Sequence, residues 1–245
     1  MASVLVVRPG RQTTVQDLGR WGFQDHGVSV AGAMDPFSHR LANALIGNAP
    51  SDATLEITLE GPELLFDDDR LVAVAGAEFA MTLDGHACDR GRLPPVHRGS
   101  LLKFESRLNG ARAYLAISGG VDVVPVLASR STHVQSRIGG WQGRPLTVGD
   151  RLPLGPALPQ GAVGRVAGPN VDAKPENPAV VRVLAGPQRN RFPEHALDIL
   201  QSAPYLVTPE SNRMGFRLQG PPIGHLRGAD IISDATALGS LQVPA

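Results

Sequence analysis

Apolar and polar residues alternate with a period of two along most of the chain, which is typical of β-strands buried on one face. In residues 55–60 the apolar side chains fall on one face, whereas Glu56, Thr58 and Glu60 fall on the other. Similar runs, separated by glycine, aspartate or proline, occupy residues 71–74, 79–83, 101–105, 111–118 and 180–184. The pattern predicts a mainly β protein.

Two short helices are expected to interrupt these strands. Asp35 is a typical N-cap, and Pro36 follows at the first helical position, where its missing N–H has no cost. The apolar face of this helix is predicted to consist of Phe37, Leu41, Ala44 and Leu45. A second helix is predicted to open at Pro193-Glu194, with an apolar face of Ala196, Leu197 and Leu200.

About eleven short strands with only two helices favour β-barrel lobes or sandwiches over a parallel βαβ sheet. Residues 155–179 contain five prolines and four glycines with little apolar content, as in a connector between lobes. We therefore predict an N-terminal β lobe at 1–154, a connector at 155–179 and a C-terminal β lobe at 180–245.

Composition excludes several functions. The 23 basic residues balance the 23 acidic ones, and only 11 side chains are aromatic, so nucleic acid is not an expected partner. A single cysteine, Cys88, excludes an intramolecular disulfide framework and any multi-thiolate metal site, which favours a reducing cytoplasm. The apolar runs are too short for a signal peptide or a membrane span, so we expect a soluble cytoplasmic protein without a membrane partner.

Sequence motifs for common chemistries are absent. Neither lysine stands in a Walker A context, and both the dinucleotide G-x-G-x-x-G and the nucleophile G-x-S-x-G are missing. No two of the seven histidines lie within one helical turn of each other, so no local pair of imidazoles chelates a metal. We expect no metal site, although the sequence leaves open one assembled across loops.

Polar clusters bracketed by glycine are the remaining candidates for a site. Residues 14–20 bring together a hydroxyl, an amide, a carboxylate and a guanidinium directly after a predicted strand; the alternative is a corner in which Asp17 and Arg20 simply pair. Residues 31–36 lead into a helix N-terminus that would attract an anion, unless Asp35 only caps the helix.

Two further clusters lie later in the chain. In residues 128–133 three hydroxyls surround Arg130, whose guanidinium would bind a carboxylate or phosphate in a fork, and a glycine-rich loop at 139–144 follows. Residues 211–215 again place an arginine, Arg213, between polar residues and glycine. Convergence of these loops would form a ligand site on a barrel rim, whereas solvated turns are the alternative.

The order of these segments carries a family resemblance. Residues 14–20, 32–35, 42–48, 55–62, 110–120, 129–132 and 211–215 resemble the allophanate hydrolase subunit 2 family, in order and over nearly the whole chain. This family is also called the biotin-dependent carboxyltransferase family, the KipI antagonist family and the 5-oxoprolinase C subunit family. The resemblance implies a mainly β fold of cyclophilin-like barrel lobes.

The resemblance also implies an activity and partners. Members are expected to open 5-oxoproline to glutamate with ATP, with or without Mg²⁺, in a complex with an allophanate hydrolase subunit 1 (KipI-like) protein and a LamB/YcsF-type subunit. ATP is needed because a five-membered lactam is a poor electrophile until its amide oxygen is phosphorylated; the nucleotide is expected to be shared with the partner. On motif position, the catalytic candidates are Arg20, Arg130 and Arg213, and the substrate-binding candidates are Gln16, Asp17, Ser131, Thr132 and Asn212.

Two alternatives stay open. One is a biotin-dependent carboxyltransferase subunit acting on urea or a similar amide, with biotin supplied on another polypeptide. The other is a non-catalytic antagonist of a KipI-like kinase inhibitor. The chain departs from the family pattern at Ala31 (usually serine), Ala128 (usually glycine) and Asn212 (usually aspartate), where a general-base role is lost. Relative to the family, we also expect the C-terminal lobe to be incomplete.

Overall fold

Strands make up most of the regular structure in the described residues, 2–157, 180–232 and 236–244 of the computed structural model. The strands are β1 (Ser3–Arg8), β2 (Gln12–Gln16), β3 (Thr54–Thr58), β4 (Glu63–Phe66), β5 (Val72–Leu83), β6 (His86–Cys88), β7 (Gly91–Arg92), β8 (Leu101–Ile117), β9 (Arg151–Pro153), β10 (Leu206–Val207) and β11 (Leu218–Gln219). The helices are α1 (Pro36–Leu45) and α2 (Ala196–Ser202), with 3₁₀ turns at Gln24–His26 and Arg189–Arg191. The predicted mainly β class with two short helices is confirmed.

The chain divides into two compact units, Met1–Lys174 and Pro175–Ala245. Most of the predicted connector, residues 158–179, lies outside the described residues. None of the helices among the described residues is long and apolar enough to cross a membrane.

One curled antiparallel sheet of nine strands forms the first unit. Its order is β2-β3-β8-β4-β1-β9, and β5 pairs with β8 while carrying β6 and β7. The 17-residue β8 lies at its centre and pairs with β3, β4 and β5. The separate runs predicted at 101–105 and 111–118 are therefore one strand, because the backbone ladder continues through exposed residues in which the alternation is lost.

Both faces of the sheet are buried where residues 72–75 of β5 pair with residues 114–117 of β8. Val72, Val74, Leu115 and Ile117 point into the main core, and residues of the opposite parity face α1. The α1-facing side chains include Ala73, Ala75, Tyr114 and Ala116. Small alanines let the helix approach the sheet closely, so α1 covers a face that a one-sided sheet would leave to solvent.

The buried face of α1 differs from the predicted one. Phe37 is 59% exposed, and the residues packed inward are Ser38, His39, Ala42, Asn43 and Leu45. Polar residues are tolerated there because they are hydrogen-bonded; the Asn43 amide, for example, donates to the Asp52 carbonyl at 2.9 Å. The predicted N-cap is confirmed, since the Asp35 carboxylate accepts from the Phe37 and Ser38 N–H groups at 3.1 and 3.0 Å.

The described part of the second unit contains α2 and the two-stranded ladder β10–β11. The strand predicted at 180–184 is wrong: these residues form no strand, and Val180 and Leu184 are 88% and 97% exposed. Alternation gives only a propensity for strand, and no neighbouring strand of the described chain pairs with this segment.

A strained turn directly precedes the 129–132 segment, which contacts β2. Val126 and Ser129 exchange both backbone hydrogen bonds, at 2.8 and 3.2 Å. The central residues, Leu127 and Ala128, have φ of +51° and +59°. A two-residue turn with both central residues left-handed favours Asn-Gly, so Leu-Ala is strained there. This explains why glycine is the residue expected at position 128 from the family resemblance.

Relief of this strain is testable. Ala128→Gly is expected to raise the free energy of unfolding by about 1 kcal/mol, because glycine adopts the left-handed region without the Cβ penalty. Urea denaturation with an unchanged m-value measures the effect. Ala44, which is exposed in α1, is the matched control, and Ala44→Gly is expected to lower stability by about 1 kcal/mol. Destabilisation by both substitutions contradicts the argument.

The buried imidazole of His39 makes the fold sensitive to acid. The ring is 0% exposed, with Nδ1 2.9 Å from Thr54 Oγ1 and Nε2 3.1 Å from the Pro50 carbonyl oxygen. Since a carbonyl only accepts, Nε2 carries the proton in the neutral ring and Nδ1 accepts from the Thr54 hydroxyl. Burial lowers the pKa of His39, and the Pro50 hydrogen bond and the charge of Asp17 oppose this only partly.

Stability is therefore expected to fall as the pH drops below the unfolded-state pKa of about 6.5, because the unfolded chain then binds a proton that the folded chain resists. The loss amounts to at most about 1.4 kcal/mol per pH unit. His39→Asn should show a weaker loss between about pH 7.5 and 5.5 in urea denaturation. His97→Asn is the control, since the His97 side chain is 66% exposed. Equal pH dependence in all three proteins contradicts the assignment.

Candidate functional site

The carboxylate of Asp17 lies at the centre of a buried polar cluster directly after β2. Its Oδ1 accepts hydrogen bonds from the Gly19 N–H at 2.8 Å and from the hydroxyls of Ser129 and Ser131 at 2.7 and 2.5 Å. Its Oδ2 accepts from the Arg130 N–H at 2.6 Å. Asp17 is 8% exposed. Because both oxygens are engaged, the side chain holds the 129–131 backbone in place.

Neighbouring residues join the same two segments. Thr132 donates to the Val15 carbonyl through both its N–H and its hydroxyl, each at 2.9 Å. The Gln16 amide nitrogen donates to the Thr132 carbonyl at 3.1 Å and to the Thr14 hydroxyl at 3.0 Å. Gln16 Oε1 is buried without a hydrogen-bond partner among the described residues. The 14–17 and 129–132 segments therefore form one polar layer.

Arg20 is the charged residue buried beside this layer. It is 1% exposed, and its Nη2 donates to the Ser131 carbonyl. Its Nε and Nη1 have no hydrogen-bond partner in the described chain. The local Asp17–Arg20 pairing considered as an alternative does not form, since the groups that donate to Asp17 belong to Gly19, Ser129, Arg130 and Ser131. Burial lowers the pKa of Arg20, and the charge of Asp17 partly opposes the shift.

The other two candidate arginines are placed differently. The Arg130 backbone belongs to the Asp17 cluster, but its side chain is 37% exposed, and the guanidinium donates to the Val123 carbonyl at 2.9 Å and to Asp122 Oδ1 at 2.7 Å. Arg213 lies in the second unit, next to a tight turn in which Asn212 Oδ1 accepts from the Met214 N–H at 2.8 Å. The structure thus brings together Gln16, Asp17, Arg20, the Arg130 backbone, Ser131 and Thr132 within the first unit.

The glycine-rich loop after β8 has a packing role that the sequence did not reveal. A Cβ on Gly139 would lie 2.2 Å from the Ser131 carbonyl oxygen, and one on Gly140 would lie 1.9 Å from Thr132 Oγ1. Both glycines also have positive φ. Only glycine lets this loop close onto the 131–132 segment. Ser129 is a further residue of the cluster that was not among the predicted site residues, although it carries one of the three clustered hydroxyls.

A second buried network anchors the loop before α1. Glu56 is 1% exposed and accepts from the Tyr114 hydroxyl at 2.8 Å and the Met34 N–H at 2.9 Å, while the Asp35 N–H donates to the Tyr114 oxygen at 2.8 Å. Burial and the charge of Glu56 raise the pKa of Tyr114, which keeps the hydroxyl protonated as a donor. Glu56 lies on the face of β3 opposite its apolar residues, as predicted, but this face is covered because the loop before α1 contacts Glu56 and α1 contacts Thr54 through His39.

Within the described chain, the unpartnered buried atoms of this cluster are Gln16 Oε1, an acceptor, and Nε and Nη1 of Arg20, which are donors. Among the described residues, no group of three or more His, Cys, Asp or Glu side chains is arranged to hold a metal ion. Asp17 and Glu56 are fully engaged as acceptors, whereas Arg20 retains unpartnered donors. Buried cationic donors without acceptors favour a negatively charged oxygen.

The positioning role of Asp17 is testable. Asp17→Ala is expected to lower the free energy of unfolding by about 3 kcal/mol or more, because it leaves several buried hydroxyl and N–H donors without an acceptor. Chemical denaturation measures the loss. Asp122→Ala is the control: its side chain is 53% exposed and pairs only at the surface with Arg130, so a change below about 1 kcal/mol is expected. Equal effects of the two substitutions contradict the proposed role.

Comparison with known proteins gives the family. The model of the carboxyltransferase domain, subdomain A and B, matches residues 26–245. The 5-oxoprolinase C subunit of Escherichia coli (strain K12) is 36% identical over 98% of this chain and 76% of its own length. The corresponding protein of Haemophilus influenzae is 32% identical over 95% of this chain and 74% of its own length. The urea amidolyase of Lachancea kluyveri is 37% identical over 88% of this chain, which is 12% of that enzyme.

Solved structures share the fold. The crystal structure of TTHA0988 superposes with a TM-score of 0.80 at 34% identity, covering 100% of this chain and 46% of that one. The urea carboxylase of Kluyveromyces lactis superposes with a TM-score of 0.76 at 35% identity, covering 92% of this chain and 21% of that one. The resemblance inferred from the order of the motifs is thereby confirmed, and the chain belongs to the carboxyltransferase domain family, subdomains A and B, which it shares with the 5-oxoprolinase C subunits.

Proposed function

We propose that this chain is a subunit of an ATP-dependent 5-oxoprolinase complex that opens 5-oxoproline to glutamate. The observation that carries the proposal is the extent of the match to the 5-oxoprolinase C subunits, which reaches 76% and 74% of the length of the two bacterial relatives. The urea amidolyase from Lachancea kluyveri is matched over only 12% of its length. The chain therefore corresponds to most of a separate subunit in one case and to a small part of a larger enzyme in the other.

The proposed partners are an allophanate hydrolase subunit 1 (KipI-like) protein and a LamB/YcsF-type subunit. The names of the two bacterial relatives, which describe each as one subunit of an enzyme, support a complex of several chains. ATP, with or without Mg²⁺, would supply the phosphoryl group that makes the lactam carbonyl electrophilic. Because the sequence has no Walker A motif, we place the nucleotide mostly on a partner or at a shared interface. The unpartnered donors of Arg20 fit a phosphoryl oxygen.

Five candidate side chains of the first unit receive roles consistent with their contacts. Arg20 binds a negatively charged group, while Asp17, Ser131 and Thr132 hold the loop that faces it. Arg130 is partly exposed and pairs with Asp122 at 2.7 Å, so it would reach a ligand by exchanging this carboxylate for that of the substrate. Arg213 and Asn212 stay as candidates in the second unit.

Carboxyl transfer is the second candidate. It is favoured by the 34–37% identity to yeast urea amidolyases and by the superposition on a urea carboxylase. In that reaction the chain would move a carboxyl group to urea or a similar amide, and biotin would arrive on another polypeptide. A single free cysteine, Cys88, agrees with a cytoplasmic complex in either case.

A pull-down of the tagged chain from its native extract tests the proposal. The eluate is expected to contain the KipI-like and LamB/YcsF-type chains and to form glutamate from 5-oxoproline only with ATP.

Arg130→Ala should reduce the rate of glutamate formation roughly tenfold or more, since one charge-assisted contact is lost. The matched control is Arg151→Ala, whose side chain is 58% exposed and pairs with Asp67.

Two results would contradict the oxoprolinase proposal. Recovery of a biotinylated chain with carboxylation of urea favours carboxyl transfer instead. Recovery of the KipI-like chain without ATP hydrolysis or glutamate formation favours a non-catalytic antagonist.

A further inference from the structure

Two buried arginines of the first unit contrast sharply in their hydrogen bonding. Arg70 is 3% exposed, and its guanidinium donates to the Asp68 carboxylate and to the carbonyls of Ser118 and Gly155. Arg20 is 1% exposed, yet only its Nη2 has an acceptor among the described residues. Burial of a cation is costly when few of its donors are hydrogen-bonded, and buried donors without acceptors are rare in native proteins. Arg20 therefore needs an acceptor that the described chain does not supply.

The loop next to Arg20 has a run of unpartnered backbone donors. The N–H groups of residues 139–142 make no hydrogen bond within the described chain, whereas the next one, of Gly143, donates to the Gly139 carbonyl at 2.9 Å. Gly139, Gly140 and Gln142 have φ of +67°, +55° and +56°. Successive N–H groups in a left-handed turn point into a common concavity, which is a frequent binding place for anions.

The loop and the guanidinium are in direct contact. A Cβ on Gly139 would lie 2.5 Å from Arg20 Nη2, so no side chain separates the loop backbone from the cation. Exposure increases along the loop, from buried Gly139 through partly exposed Gly140 and Trp141 to exposed Gln142. A small ligand can therefore approach the loop from the Gln142 side.

We infer that Arg20 and the 139–142 backbone form one binding site for an oxyanion, either a carboxylate or a phosphoryl group. Arg20 supplies the positive charge, and the backbone N–H groups supply directional hydrogen-bond donors. A ligand analogue whose oxyanion is methylated or amidated would satisfy these donors less well. The identity of the ligand rests on the proposed function, in which 5-oxoproline provides a carboxylate and ATP provides phosphoryl oxygens. The site itself rests on the contacts of Arg20 and the loop.

Titration of the purified chain with inorganic phosphate and with 5-oxoproline tests the site. At constant ionic strength set with sodium chloride, at least one of the two anions is expected to raise the unfolding temperature in a saturable manner. In hydrogen exchange of the wild-type chain, the same anion should slow the amides of residues 139–142. This second readout needs no variant. A response to phosphate alone assigns a phosphoryl group, and a response to 5-oxoproline alone assigns a carboxylate.

Variants with matched controls localise the response. Arg20→Met should weaken binding roughly tenfold to a hundredfold. Without anion, Arg20→Met is expected to be at least as stable as the wild type, because a buried cation with two unpartnered donor atoms leaves the interior. Arg151→Met removes an exposed arginine and should leave the response unchanged. Gly139→Ala should weaken the response as well, whereas Gly149→Ala should not, since Gly149 has φ of +88° but no atom within 4 Å of an added Cβ.

The inference is overturned if neither anion raises the unfolding temperature or slows amide exchange, or if Arg20→Met responds like the wild type. Its failure is separable from failure of the proposed function. Anion binding that depends on Arg20, together with a reconstituted complex that forms no glutamate, supports the site and contradicts the oxoprolinase proposal. Glutamate formation without anion binding to this chain supports the oxoprolinase proposal and contradicts the anion site.

Discussion

The carboxylate of Asp17 is the contact on which the arrangement of the candidate site depends. It accepts hydrogen bonds from two hydroxyls and one N–H group of a segment that lies 112–114 residues further along the chain. That segment belongs to no helix or strand, so its backbone has no ladder of its own to fix it. A buried anion with several donors is a strong substitute, since charge-assisted hydrogen bonds are roughly twice as strong as neutral ones.

Engagement of Asp17 with the loop has an electrostatic consequence for Arg20. The nearest acidic side chain in sequence is fully occupied, so the buried guanidinium keeps its charge without a carboxylate partner among the described residues. The strained Leu127–Ala128 turn and the left-handed residues of the 137–143 loop flank the same place. Concentration of backbone strain and of buried donors without acceptors in one region is the pattern expected where a site is built at some expense of stability.

The rest of the first unit supports this region through packing and buried hydrogen bonds. α1 packs on one face of β5 and β8 while the main core fills the other, and the Glu56–Tyr114 network ties the loop before α1 to the sheet. The asparagines of the 42–48 motif act in the same way: the Asn48 amide donates to the Ile117 carbonyl, and its oxygen accepts from the Gly119 N–H. Several residues that carry the family resemblance therefore satisfy buried backbone groups rather than contact a ligand.

The sequence by itself determined the fold class, the start of one helix and the family of this protein. Alternation predicted the mainly β class, Asp35-Pro36 predicted the start of α1, and the order of the motifs identified the family. Tertiary structure alone decided which face of α1 is buried, why residues 180–184 form no strand, and that Asp17 holds a distant loop while Arg20 has no carboxylate partner in the described chain. The physical reason is that a polar side chain is tolerated in the protein interior only when it finds hydrogen-bond partners, and these partners often lie far away in the chain. Spacing along the sequence does not show which distant groups meet, so it does not show which buried donors stay available for a ligand.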